Sequence, residues 1–399
     1  MVHFINIIIL NWRHHFVSLT KDFNSIKNEL VKISHQLYEN PELGDEEYES
    51  MKLLVDYLRS YDFEVETGIV DRPTAFKAEF TGEKPGPTVA YLAEYDALPG
   101  IGHGCGHNLI ATMAVGAGVV LRKHVQEIGG KVIVLGTPAE ETSGAKVPMS
   151  EQGTFNDIDV AMMVHPADIS SESGAMLAMD AIQFSFTGKA SHAAASPEEG
   201  INALDGVIQL FNGVNALREH VPSDIRIHGI ISEGGQAANI VPEKAVAQFY
   251  VRANKREVLD EVVKKVENIA HGAAAMTGAA VDITNFELSY DNMITNKALS
   301  ETFTKNLKIH SQQPVYTAVK PSGSADMGNV SHVVPAIHPY VGLNEPGLVF
   351  HTKEFADKTI TEDGEAAIAE GVLALAQTGY DVMTDRKLLT TIKTEFDNK

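Results

Sequence analysis

Residues Thr88 to Asn108 read TVAYLAEYDALPGIGHGCGHN. The opening TVAYL is a short apolar run of the kind that makes a buried strand. The chain then turns polar and glycine-rich before a long apolar stretch, about Leu109 to Val125, that reads as a helix. A second strand-like run spans Lys131 to Leu135, and a third spans Asp159 to Val164. Strands alternating with helices imply an α/β fold, a central and mostly parallel sheet flanked by helices. In open sheets of this class, ligands bind beyond the carboxyl ends of the strands. Asp96 follows the first run, Glu140 and Glu141 the second, and His165 the third. Metal-type side chains at three strand ends are a stronger signal than any one of them.

Upstream of this stretch, Ile26, Leu30, Ile33 and Leu37 have helical spacing from Asn24 until Pro41, and a second helix is predicted around Glu46 to Tyr61. Residues 1–20 read as an N-terminal extension. The apolar run Phe4 to Leu10 is too short for a membrane span, lacks a basic start and precedes no small-residue cleavage site, so no targeting signal is expected. Downstream, the rhythm changes near residue 180. Strand-like Ala181 to Thr187 leads to a helix over Pro197 to Glu219, then to strands Arg226 to Ser232 and Lys244 to Arg252. A helix over Glu257 to Met276 and a strand from Ala280 to Leu288 complete the order βαββαβ. This is the split pattern of a ferredoxin-like α+β domain, expected as an insertion over 180–289. The catalytic domain would then comprise 21–179 and 290–399, with a closing helix near Ala366 to Ala376.

A chain of 399 residues exceeds one typical core, in keeping with two domains. With 44% apolar and 21% charged residues the composition is that of a folded globular protein. Acidic residues outnumber basic ones by 53 to 32, a formal charge of -21. Such a surface repels nucleic acid and anionic membranes, so neither is an expected partner. Cys105 is the only cysteine, which forbids an internal disulfide and suits a cytoplasmic location.

The densest cluster of candidate ligands is His103-Gly-Cys105-Gly-His107-Asn108. Thiolate and imidazole suit borderline metals, and the glycines let backbone fold closely round an ion. A glycine-rich turn with solvent-facing histidines is the bland alternative, and Cys105 as a nucleophile paired with histidine is another. Glu140 and Glu141 could divide labour, one carboxylate binding metal while its neighbour serves as general base. Alone, the pair would read as a solvated acidic patch. His165 and His351 gain weight as complements to a site that already holds a thiolate, an imidazole and a carboxylate.

Five segments occur in order: His35-Gln-Leu-Tyr-Glu-Asn-Pro-Glu-Leu-Gly, Ala93-Glu-Tyr-Asp-Ala-Leu-Pro-Gly, Gly102-His-Gly-Cys-Gly-His-Asn, Pro138-Ala-Glu-Glu and Met163-Val-His-Pro. Together they resemble the metallo-amidohydrolases of aminoacylase and carboxypeptidase type. Asn108 and Ser324-Ala-Asp-Met-Gly-Asn-Val-Ser point to the branch of aminobenzoyl-glutamate hydrolase, hippurate and auxin-conjugate hydrolases and dipeptidases. The resemblance implies two divalent ions per subunit, Zn or Mn with Co also compatible. Cys105 would bridge them, with His107, Glu141, His165 and His351 as further ligands. It implies Glu140 as general base, Asp96 as the carboxylate that orients ligands, and His103 as structural.

In the inserted domain, which the resemblance makes a lid and dimerisation domain, His192 of Gly188-Lys-Ala-Ser-His192 matches the histidine that stabilises the oxyanion. Asn239 of Asn239-Ile-Val-Pro matches a substrate-clamping turn. Arg252 is a candidate for a substrate carboxylate, with a salt-bridged strand end as the alternative. Ala325 departs from the family pattern, which bears on substrate preference. The implied activity is hydrolysis of the amide bond of a small N-acyl amino acid or dipeptide by a homodimer. A cysteine hydrolase and a non-catalytic metal-dependent binding protein are the alternatives, and retention of both glutamates argues against the binder.

Overall fold

The computed structural model describes residues 2–318 and 323–399, with side chains from Ser18 onward. Helix α1 (Val2–Glu39) starts far before Asn24, where the sequence placed it. The span holds neither glycine nor proline, so no residue in it breaks a helix. The backbone of the predicted extension is thus continuous with the first helix; Met1 lies outside the described residues. Ahead of α2 (Tyr48–Ser60), the Glu42 carboxylate accepts the backbone N–H groups of Glu49 and Ser50 at 3.1 and 2.7 Å. These are donors that a first helical turn leaves open.

The main sheet is built from β1 (Glu64–Thr67), β2 (Phe76–Thr81), β3 (Thr88–Ala93), β4 (Lys131–Gly136) and β5 (Val160–Met162), joined by the late segment Ala336–Ile337. Its order is β1-β2-β4-β3-β5 and then 336–337. β3, β4, β5 and 336–337 run parallel, whereas β2 and β1 continue the sheet antiparallel at one edge. Between β3 and β4 runs α3 (His107–Ile128), buried on all faces through its first four turns, as a helix apolar all round must be. After β4 come the Glu140–Glu141 loop and the short α4 (Lys146–Glu151). The parallel β3 and β4 end on the same side, which brings the Asp96 and Glu140 loops together.

The strand predicted over Asp159 to Val164 stops at Met162, and His165 opens a new strand, β6 (His165–Ala167), followed by β7 (Ser170–Ser171). The reason is a change of partner. β5 pairs with β3, whereas β6 pairs in parallel with Tyr340–Gly342 in a separate small sheet.

Met176–Met293 with Pro321–Gly328 forms a second compact unit. It contains β8 (Ala178–Thr187), α5 (Ala203–Leu217), β9 (Arg226–Glu233), β10 (Lys244–Ala253), α6 (Arg256–Thr277) and β11 (Ala280–Asn285). The sheet is antiparallel throughout in the order β11-β8-β10-β9, the ferredoxin-like arrangement. Phe184, Phe186 and Phe249 form its core with Val207 and Leu210 of α5 and Leu259 and Val266 of α6.

The first unit resumes with α7 (Lys297–His310), β12 (Val315–Tyr316), α8 (Met327–Val333, which crosses the boundary), β13 (Ala336–Ile337) and β14 (Tyr340–Gly342). It ends with α9 (Lys353–Lys358), α10 (Glu362–Thr384) and α11 (Arg386–Asp397). The closing helix is therefore longer than predicted and is not the last. α10 packs on α3, α1 and α7, which completes the core on one face of the sheet. No described helix is long and apolar enough to cross a membrane.

Candidate metal centre

The site grows from the turn between β3 and α3. Gly106 caps α3 at φ 79°, and a Cβ there would lie 2.4 Å from Pro166 Cγ. Only glycine meets both demands, and the close approach sets the start of α3 against the His165-Pro166 step. His107 is the first residue of the helix and is buried. Its Nδ1–H points at the Asp96 carboxylate and the Asp96 carbonyl, both 3.0 Å away. This fixes the tautomer and turns Nε2 into the site. Nε2 has no hydrogen-bond partner among the described residues, although Glu94 Oε2 lies at 3.5 Å and Glu141 Oε1 at 3.9 Å.

His165 repeats the arrangement. Its Nδ1 faces the Pro166 carbonyl at 2.6 Å, which leaves Nε2 3.5 Å from Cys105 Sγ. Two imidazoles thus present an Nε2 while the other nitrogen is held by an acceptor, the disposition usual for metal-ligating histidines. On the far side, His351 Nε2 lies 3.2 Å from Glu141 Oε1. His351 adopts φ 62°, unusual for a non-glycine residue, and its backbone N–H donates to the Gly104 carbonyl at 2.9 Å. Asp96 also ties in the glutamate loop, because Oδ2 accepts the Glu141 backbone N–H at 3.0 Å.

Three overlapping groups of ligand atoms result, each within 4.8 Å: Cys105, His107 and His165; Cys105, Glu141 and His351; His107, Glu140 and Glu141. A cluster of thiol, imidazole and carboxylate donors around a buried, unpaired Nε2 fits a divalent cation.

Electrostatics set the two imidazoles of the cluster apart. Burial would pull His107 down, but the Asp96 charge and hydrogen bond hold it well above the ordinary imidazole value. Burial pulls His165 down to about 4. Burial also pushes the Cys105 thiol up.

The comparisons with known proteins decide the family. Residues 179–275 match the model of the peptidase dimerisation domain. The chain is 37% identical over 390 residues to the Xaa-Arg dipeptidase of Mus musculus, covering 93% of this chain and 89% of that one. The chain belongs to the M20 family of metallo-amidohydrolases and peptidases. It is also 33% identical to a p-aminobenzoyl-glutamate hydrolase chain from Escherichia coli K12, over 69% of this chain and 61% of that protein. A dinuclear metal-binding M20 peptidase of Bacillus subtilis shares the fold, with a TM-score of 0.65 at 20% identity over 89% of this chain and 99% of that one. This M20 chain is accordingly a hydrolase of peptide or amide bonds that works with divalent metal.

Cys105, His107, Glu140, Glu141, His165 and His351 are thus brought together, with Asp96 behind them. His103 is buried with Nε2 3.1 Å from the Leu37 carbonyl and belongs to none of the three ligand groups. His192, Asn239 and Arg252 belong to the second unit. There, His192 and Asn239 are neighbours: a bridge joins His192 to Ile240, and the Ala193 N–H donates to the Asn239 carbonyl at 3.1 Å. Arg252 Nη1 donates to Ser324 Oγ at 2.9 Å and the guanidinium lies over the Tyr250 ring, with no carboxylate paired to it among the described residues.

Two site residues were missed in the sequence. Glu94 is buried, and its Oε1 accepts from the fully buried Lys146 at 2.6 Å. Burial alone would raise Glu94, but Lys146 and the neighbouring histidines hold it low. The signal was available, because Glu94 and Asp96 are two apart in extended chain and so face the same way. Lys146 carried no such signal, since its approach depends on how the loop after β4 folds back.

Asp96→Asn tests the tautomer control. An amide can turn its NH2 towards His107 and no longer selects the proton on Nδ1. Metal affinity is expected to fall about 10–100-fold, read by titration of the metal-free protein; unchanged affinity would refute the role.

Proposed function

We propose that this M20 chain is a dipeptidase with two divalent ions per subunit and a preference for dipeptides bearing a basic C-terminal residue. The observation that carries the metal reading is the pair of histidines, His107 and His165, that present Nε2 to one shared thiol. Cys105, His107, Glu141, His165 and His351 would hold the two ions. This donor set suits Zn, Mn or Co. The dipeptide preference draws on the mouse relative, named for Xaa-Arg dipeptides. The formal charge of -21 favours cationic substrates.

When bound, the ions polarise the scissile carbonyl and acidify water for attack at neutral pH. Glu140 takes the proton of the attacking water and delivers it to the leaving amine. Asp96 holds His107 and the Glu141 backbone in register. His192 donates to the oxyanion. Its Nδ1 faces the N–H groups of Ala194 and Ala195, at 3.2 and 3.1 Å, so the ring proton sits on Nε2, the nitrogen left to donate. Arg252 takes the substrate carboxylate, and the Asn239 turn clamps the substrate beside His192.

The protein acts as a homodimer in the cytoplasm. β9 is an edge strand that exposes Ile230 and Ile231, and an open apolar edge is a ready pairing surface. A monomeric mass in sedimentation would count against the dimer.

The decisive experiment is one screen of Mn²⁺-loaded protein against dipeptides with Arg or Lys at the C-terminus, aminobenzoyl-glutamate and simple N-acyl amino acids. Hydrolysis of the basic dipeptides in preference to the others is expected. It should be abolished by a chelator and restored by Mn²⁺ or Zn²⁺. Preference for aminobenzoyl-glutamate would overturn the substrate assignment, and turnover that survives chelation would overturn the metal assignment.

A further inference from the structure

Ala139 lies between Pro138 and Glu140 at φ 61°, a left-handed conformation that side chains disfavour. Such a conformation persists only where its surroundings hold it, and here it aims the Glu140–Glu141 pair. We propose that Glu47 is the positioning residue that holds this turn and thereby sets the two glutamates.

Glu47 is fully buried at the start of α2. Its Oε1 accepts the Ala139 backbone N–H at 2.8 Å, and its Oε2 accepts from Thr74 Oγ1 at 3.0 Å. The Thr74 carbonyl in turn accepts from the buried Tyr95 hydroxyl at 2.6 Å. Tyr95 stands between Glu94 and Asp96, so one chain of hydrogen bonds joins both site loops. Burial pushes Glu47 up to about 7. A carboxyl kept in such a place opposes folding, which argues for a role beyond filling space.

The segment before Glu47 reinforces the contact. A Cβ on Gly44 would lie 2.3 Å from Thr142 Oγ1 and 3.1 Å from Ala139 Cα, so only glycine lets the two loops pack this closely. The Ala97 N–H donates to the Glu42 carbonyl at 2.8 Å. Arg72 Nη1 bonds both Asp45 Oδ1 and Ser143 Oγ at 2.5 Å, and Ser143 Oγ donates to Asp45 Oδ2 at 2.6 Å. Residues 42–47 therefore touch the loop that carries Asp96 and the loop that carries Glu140. The Pro41-Glu-Leu-Gly44 stretch, which takes no part in the proposed chemistry, gains a physical role.

This inference rests on Glu140 and Glu141 acting as proposed above, and the test separates the two. In the metal-saturated chain, Glu47→Ala is expected to lower kcat about 10²-fold, the scale of a slightly misplaced catalytic group, with KM little changed. Glu47→Gln, whose amide oxygen still accepts the Ala139 N–H, should keep most of the activity. Adding Ala139→Gly to Glu47→Ala should restore part of kcat, because glycine takes this φ freely. A role confined to overall stability would lower Tm without that rescue.

Independently of activity, hydrogen exchange in the metal-free chain should show residues 137–144 opening faster in Glu47→Ala than in the wild type. Should that variant fail to fold, Thr74→Val, which removes the donor to Glu47, should give the same signature more weakly. Unchanged kcat and unchanged exchange in whichever folded variant is measured would overturn the inference. A wild type that hydrolyses no amide would overturn the reaction instead, leaving the exchange result to decide on Glu47.

Discussion

Glu140→Gln is expected to bind metal as the wild type does and to lose about 10³-fold or more in kcat. The replacement keeps shape and hydrogen-bonding reach while removing the ability to take a proton near neutral pH. Glu140 stands beside Glu141, His107 and the other candidate ligands, in the loop directly after β4. Its neighbour Glu141 keeps its backbone bond to Asp96 in the variant, so the metal sites should persist. The measurements are kcat/KM on the best dipeptide and metal content per chain. A Gln variant with near-normal turnover would remove Glu140 as the base. Loss of metal together with activity would make it a ligand instead.

Cys105→Ser should have the second large effect, this time on the metal itself. Cys105 belongs to two of the three ligand groups, one with His107 and His165, the other with Glu141 and His351. A serine hydroxyl is a far weaker donor to borderline cations than a thiolate. Metal content is therefore expected to fall to about one ion per chain or fewer, with activity falling in parallel. Full occupancy in the Ser variant would rule out the bridge. The same variant discriminates against cysteine chemistry. A nucleophile variant would keep its metal and lose only turnover.

Much of the fold was legible because its parts bury apolar surface with regular periods. The βαββαβ order of the inserted unit and the strands around α3 were visible as alternating apolar runs. Boundaries were less secure where partners, rather than local preference, decide them. The break after Met162 reflects β6 joining a different sheet, and α1 runs on to Val2 because nothing in the chain stops it. Among the site residues, each predicted ligand stood out as a histidine, cysteine or glutamate beside a strand end or turn glycine. Glu47 and Lys146 did not, because a buried charge looks in sequence like any surface charge; Glu94 was marked only by its spacing from Asp96.

Donor types and family are written in the chain itself, since both are local: a glycine-flanked Cys105 and His107, two adjacent glutamates, and motifs in order. Which atoms meet is settled by packing alone. His107 and His165 each turn Nε2 inward because Asp96 and the Pro166 carbonyl occupy Nδ1. His351 reaches Glu141 across more than two hundred residues of chain. His103 stays outside the cluster, bonded to the Leu37 carbonyl. Metal coordination depends on distance and lone-pair direction, and those are properties of packed neighbours far apart in sequence.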